Sequence, residues 1–349
     1  MWPYWLVFGV SAILVLVRRR LPPAQARWIW ILFSLILSMW MGLRHEVGGD
    51  WWRYASQFAI FRGMSFADAM STAKDPGYSL VGWLASEAGG SIHTLNFVCA
   101  LALASGTVAL ARRQPWPALA ILAAVPYLLI VVGMGYTRQS AAIGFAMLGL
   151  AALGEQRQRA FVLWVLVAAT FHKTAVLLLP IAALSTTHNR AWTFAWVGAI
   201  FLLGGGLFLH ESSERLIANY VESEYADASQ GAAVRVFMNA VPSLLAIVFR
   251  GRLFPVEAER NLWTWMSIIS LGCIPLLAVS ATAVDRMALY FIPLQLVVFA
   301  CLPRLATTVS ARTLLVIGLI FYYALVQFVW LNFASHAYAW LPYRFALPW

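Results

Sequence analysis

The chain has 349 residues, of which 62% are hydrophobic and 11% charged, with a formal net charge of +10. Soluble domains carry about a quarter charged residues, so a soluble domain or pair of domains is excluded. The basic residues cluster between apolar runs, which reads as topogenic bias and leaves no call for a nucleic-acid partner.

A hydrocarbon core about 30 Å thick takes about 20 helical residues per crossing. In chain order, apolar runs predict membrane segments at Trp2–Val17, Trp28–Leu43, Ile92–Ala111, Ala118–Met134, Arg138–Leu153, Ala160–Phe171, Thr174–Leu184, Trp192–Leu209, Val234–Phe249, Leu262–Thr282, Met287–Leu302 and Thr313–Phe333. This is an all-α, polytopic integral membrane protein of about twelve segments, several of them short or broken. The whole chain, 1–349, reads as one membrane domain without internal repeats. Cys99, Cys273 and Cys301 sit inside apolar runs and form neither a disulfide framework nor a metal site.

One region needs arbitration. Ala160–Leu184 is long enough for a single crossing, but His172-Lys173 would then lie at the bilayer centre at high cost. Two short helices meeting at His172 place the pair near a surface instead. With that break, fourteen basic and three acidic residues fall on one side and ten basic and eleven acidic on the other. The side with the excess is cytoplasmic by the positive-inside rule. Both termini are then periplasmic. The first run is not a cleavable signal, because Arg18-Arg19-Arg20 follows it and no basic stretch precedes it.

Two long segments, 44–91 and 211–232, belong to the outer face. In the first, Trp51, Tyr54, Phe58 and Phe61 recur at helical spacing, predicting an amphipathic helix with its aromatic face in the membrane interface. Ser65 with Asp68 reads as a helix start, and Pro76 opens a further short helix. The second segment is acidic and reads as a surface loop or lid.

Outer-face cations beside membrane segments run against the topogenic bias. Arg44, Arg138, Lys173, Arg235, Arg286 and Arg344 are six of them, from six places in the chain. Each can snorkel to lipid headgroups or pair with a neighbouring acid, as Asp285-Arg286 can do locally. Gathered in one pocket, they suit a phosphate-bearing ligand. Asp50 and His172 are candidate proton-transfer groups, and each also has a capping role open to it: Asp50 at the aromatic helix, His172 at the broken one. No metal-ligand spacing, nucleotide loop or nucleophile motif is present.

Gly42-Leu43-Arg44-His45-Glu46-Val47-Gly48-Gly49-Asp50, with Tyr54 and Phe58 beyond it, resembles the opening pattern of the EpsG family, Wzy-like polymerases of bacterial exopolysaccharide and O-antigen. Asp75-Pro76-Gly77-Tyr78 is similar to that family's acidic-Pro-Gly-aromatic element. Thr137-Arg138-Gln139 is similar to its Arg-Gln helix start, Phe171-His172-Lys173-Thr174-Ala175 to its His-containing break, and Asp285-Arg286 before Tyr290-Phe291 to its later Arg element. The tail Pro342-Tyr343-Arg344 completes the order.

The resemblance implies a GT-C-like glycosyltransferase of the bacterial inner membrane, working at the periplasmic face without cofactor or metal. It would transfer a growing glycan from undecaprenyl diphosphate onto an incoming undecaprenyl-diphosphate-linked repeat unit. Flippase and chain-length regulator proteins are possible companions, alongside membrane lipids. Arg44, Arg138 and Arg286, helped by Lys173 and Arg235, would clamp the diphosphate. His172 or Asp50 would receive the acceptor proton. Tyr54, Asp75, Tyr78, Gln139, Asp285, Tyr343 and Arg344 would hold sugar or lipid. A lipid-linked oligosaccharide flippase and an O-antigen-type ligase are the alternative readings.

Overall fold

The computed structural model describes residues 1–17, 23–71, 73–187, 189–209 and 231–346. The Arg18-Arg19-Arg20 anchor and nearly all of the expected acidic lid lie outside them. Among the described residues the chain is helical with no strand, and one isolated bridge pairs Arg44 with Phe345.

The helices used below are α1 (Trp2–Val17), α2 (Pro23–Gly42), α3 (Trp51–Ile60), α4 (Phe66–Ser71), α5 (Pro76–Glu87), α6 (Ile92–Ala111), α7 (Pro117–Gly135), α8 (Thr137–Gly154), α9 (Gln158–Phe171), α10 (Lys173–Ser185), α11 (Arg190–Leu209), α12 (Ala232–Val248), α13 (Glu257–Leu276), α14 (Ala281–Phe291), α15 (Pro293–Leu305) and α16 (Val309–Phe333). Each of the twelve apolar runs is helical over most of its length. By length and composition α6, α7 and α16 can each cross a bilayer, and the bent pair α14–α15 makes a fourth crossing if it acts as one span.

Two boundaries differ from expectation. The run Leu262–Thr282 stops as a helix at Leu276, and Ser280 caps the next helix by accepting from the Ala283 amide at 3.2 Å. The run Met287–Leu302 is split by a 42° bend ahead of Pro293, whose missing N–H interrupts the helical ladder. At His172 the chain does break. The residue has extended backbone, φ −156° and ψ 108°, between α9 and α10.

Small residues let α6 and α8 approach to backbone distance: a Cβ on Gly106 or Gly144 would overlap the main chain of the other helix. In α7 the stretch Val125–Val132, which contains Pro126, winds as a π-helix. One carbonyl there, Ile130, accepts the Trp340 indole N–H at 3.0 Å and so ties the chain's C-terminal part to the core.

The aromatic face of α3 is corrected by the structure. Trp51, Tyr54, Phe58 and Phe61 are buried in protein, with Tyr54 and Tyr78 rings 5.9 Å apart, so this face does not lie against lipid. Burial against α5 and α6 removes the same apolar area from water that a membrane surface would. The exposed face carries Trp52 and Ile60 instead. Ser65 and Pro76 open α4 and α5 as expected, with the Asp68 amide bonding Ser65 Oγ at 3.2 Å.

Candidate functional site

Four elements meet around His172. Pro76 starts α5, and Gly77 allows that helix to lie directly on the end of α9, because a Cβ at Gly77 would collide with the Thr170 hydroxyl and the Phe171 ring. This close approach brings Asp75, the residue before α5, beside the helix break. There its carboxylate accepts from the Lys173 main-chain amide and, at 2.6 Å, from an Arg138 guanidinium nitrogen at the start of α8. Tyr54 and Tyr78 lie with their rings 5.8 Å from the Arg138 guanidinium. Asp75 is 7% exposed, and its burial holds the carboxyl above the usual range even though Arg138 and Lys173 pull the other way.

His172 Nδ1 lies 2.7 Å from the Thr174 hydroxyl, which also interacts with Tyr290 from α14. Among the described residues no partner takes its Nε2. Burial, with Arg286, Arg138 and Lys173 all close enough to act on it electrostatically, pushes the imidazole down to about 3. His172 is therefore neutral at physiological pH. With Nδ1–H donating to Thr174, Nε2 presents a lone pair.

Arg286 is placed by two contacts. Its main-chain carbonyl accepts from Gln139 Nε2 at 2.7 Å, and its guanidinium lies 5.7 Å from the Tyr136 ring. Asp285 does not pair with it. Asp285 instead forms an ion pair with Arg235, whose guanidinium also donates to the Tyr127 hydroxyl at 2.9 Å. No carboxylate among the described residues pairs with Arg286.

The six expected cations thus separate. Arg138, Lys173 and Arg286 surround His172. Arg235 faces the same region through Tyr127 and Tyr136 but is neutralised by Asp285. Arg344 pairs with Glu46 at the surface. Arg44, expected in the diphosphate clamp, is 1% exposed and spends its donors on the Met41 and Val47 carbonyls and the Thr137 hydroxyl, at 2.7, 3.0 and 2.9 Å. A guanidinium enclosed in this way pins the turn after α2 to the start of α8 and offers nothing to a ligand. Tyr343 likewise serves the scaffold: its hydroxyl donates to the Trp40 carbonyl at 2.7 Å. Asp50 sits at the start of α3 without capping it and acts on Tyr54 rather than on the His172 group.

Sequence reasoning missed Thr174 and Tyr290 as partners of His172, though both stood in the quoted motifs. It also missed Arg53 and Lys74, which line a cavity with Asp75 and Arg138. The step from Arg53 to Gln57 and Ile60 is a helical face that could have been noticed. Among the described residues no group of three or more His, Cys, Asp or Glu is placed to hold a metal ion.

An all-helical body with several apolar helices is that of a membrane protein, and here three cations stand near one neutral histidine. The model of the EpsG family matches residues 27–345, nearly the whole chain, and the protein belongs to that family. Membership makes it an exopolysaccharide-related polymerase of the glycosyltransferase type. Neither the curated proteins nor the solved structures give a match.

Proposed function

We infer that the protein extends a bacterial exopolysaccharide or O-antigen at the periplasmic face of the inner membrane by moving a growing glycan from undecaprenyl diphosphate onto the next lipid-linked repeat unit. The observation that carries this reading is the charge around His172. Arg138, Lys173 and Arg286 against Asp75 leave a net charge of about +2 beside a neutral imidazole, the complement of a diphosphate leaving group.

In the reaction the acceptor hydroxyl oxygen attacks the anomeric carbon of the donor glycan. The new glycosidic bond forms as the bond to the phosphate oxygen breaks, and the electron pair departs with the lipid diphosphate. The hydroxyl proton passes to His172 Nε2. Preorganised cations at the developing charge lower the barrier by several kcal/mol. A bound diphosphate also offsets the cations that depress His172, so the histidine gains basicity when the donor is in place. Asp75 orients Arg138, and Gln139 orients Arg286 through its main chain. The departing diphosphate is already ionised, so the reaction has no need of a metal.

The test is to incubate purified protein with lipid-diphosphate-linked repeat units, without nucleotide sugar, and resolve the products by length. A ladder that is lost in Arg138→Ala supports the reading. Lipid that crosses vesicles without lengthening makes the protein a transporter, and transfer of finished glycan to another acceptor makes it a ligase.

A further inference from the structure

A cavity of about 300 Å³ opens between α3, α4, α5 and the start of α8; Asp75 and Arg138 line it, whereas His172, Lys173 and Arg286 do not. Its polar side carries Arg53, Lys74 and Arg138, and its apolar side carries Ile60, Phe61 and Met64. Arg53 and Lys74 are exposed and appear in no ion pair among the described residues. Two polar atoms of the lining residues are buried without a hydrogen-bond partner: the Tyr78 hydroxyl, on a side chain 3% exposed, and Arg138 Nε. Native structures seldom leave such atoms unsatisfied.

We propose that this cavity binds the diphosphate end of a polyprenyl lipid, with Arg53 and Lys74 gripping the phosphates and Ile60, Phe61 and Met64 receiving the first isoprene units. The proposal rests on the polymerase reading in one respect. That reaction uses two lipid diphosphates, one on the donor and one on the acceptor, and the charge around His172 is enough for one. The cavity supplies a second cationic site. Arg53, Lys74 and Arg138 against Asp75 again leave a net charge of about +2, which fits a diphosphate. Ile60 is 62% exposed on the same helix as Arg53, so the prenyl chain can leave the cavity directly into lipid. A free phosphate would need no such apolar wall.

The experiment measures binding of farnesyl diphosphate, farnesol and inorganic diphosphate to nanodisc-embedded protein, as wild type and as Arg53→Gln, Lys74→Gln and the double variant. Both positions are exposed, and an unchanged thermal midpoint certifies folding. Expected are farnesyl diphosphate binding at two sites, of which one weakens at least tenfold in the double variant and with added salt, and weaker binding of both farnesol and inorganic diphosphate at that site. In the ladder assay the double variant raises KM for repeat units several-fold and leaves kcat nearly unchanged. Wild-type binding in the double variant overturns the proposal, and so does inorganic diphosphate binding as tightly as the prenyl compound. Binding that depends on Arg53 and Lys74 in a protein that makes no ladder keeps this site and removes the polymerase reading. A ladder whose KM ignores both residues does the reverse.

Discussion

Charge at a single residue counts here only after its partners are subtracted. Arg138, Lys173 and Arg286 act on one imidazole, whereas Arg44 is consumed by main-chain carbonyls and Arg235 by Asp285. Removing one preorganised donor from a developing anion costs about 100- to 1,000-fold in kcat. Arg138→Ala should fall in that range by ladder assay, and Arg286→Ala should behave alike. Arg44→Ala should instead lower the thermal midpoint, since it strands two buried carbonyls at about 1–3 kcal/mol each.

His172 also sets a pH dependence. Depressed to about 3 in the free protein, it stays neutral from pH 5 to 8, so kcat/KM should show no acid limb near 6.5, the ordinary value for histidine. The limb of kcat reports the substrate-bound enzyme. Because bound diphosphate offsets the cations, that limb should lie at higher pH than the limb of kcat/KM. A shared limb near 6.5 for both would remove His172 as the base.

At the scale of elements, the site depends on how closely α5 meets α9. Overpacking at such a contact costs about 1–3 kcal/mol. Gly77→Ala should push α5 away from Thr170, carry Asp75 with it and cut activity tenfold or more. Adding Thr170→Ala removes the colliding hydroxyl and should restore part of the loss, giving a coupling energy that a double-mutant cycle reads directly. Much at this scale could be read from the chain. Helices follow from local apolar content, and the break at His172 follows from the cost of burying His-Lys in lipid. The aromatic spacing of α3 likewise gave an amphipathic helix, but spacing gives a face without naming what covers it. Membrane interface and protein core satisfy the same pattern, so only packing against Tyr78 decided between them.

Across the whole molecule, the segment after α16 closes the fold. Tyr4 donates to the Trp340 carbonyl at 2.7 Å, Trp340 reaches the π-helical part of α7, and the Ala346 amide bonds the Leu43 carbonyl at 2.7 Å. Trp340→Ala removes a buried aromatic and should cost about 3–5 kcal/mol. Arg344→Ala breaks a surface ion pair with Glu46 and should cost under about 1 kcal/mol. Thermal unfolding in one detergent separates the two. On the chemistry, a chelator should leave the ladder intact, because the site's positive charge comes from side chains.

Composition and hydropathy alone pointed to a helical membrane protein, because solvation in a bilayer is decided within each stretch of about 20 residues. Motif order gave the family in the same local way. Which cations keep their charge for a ligand was decided only in three dimensions. Asp75 reaches Arg138 across 63 positions, and Asp285 bypasses its neighbour Arg286 for Arg235, 50 positions away. An ion pair depends on distance in space, and no spacing in the chain reports it.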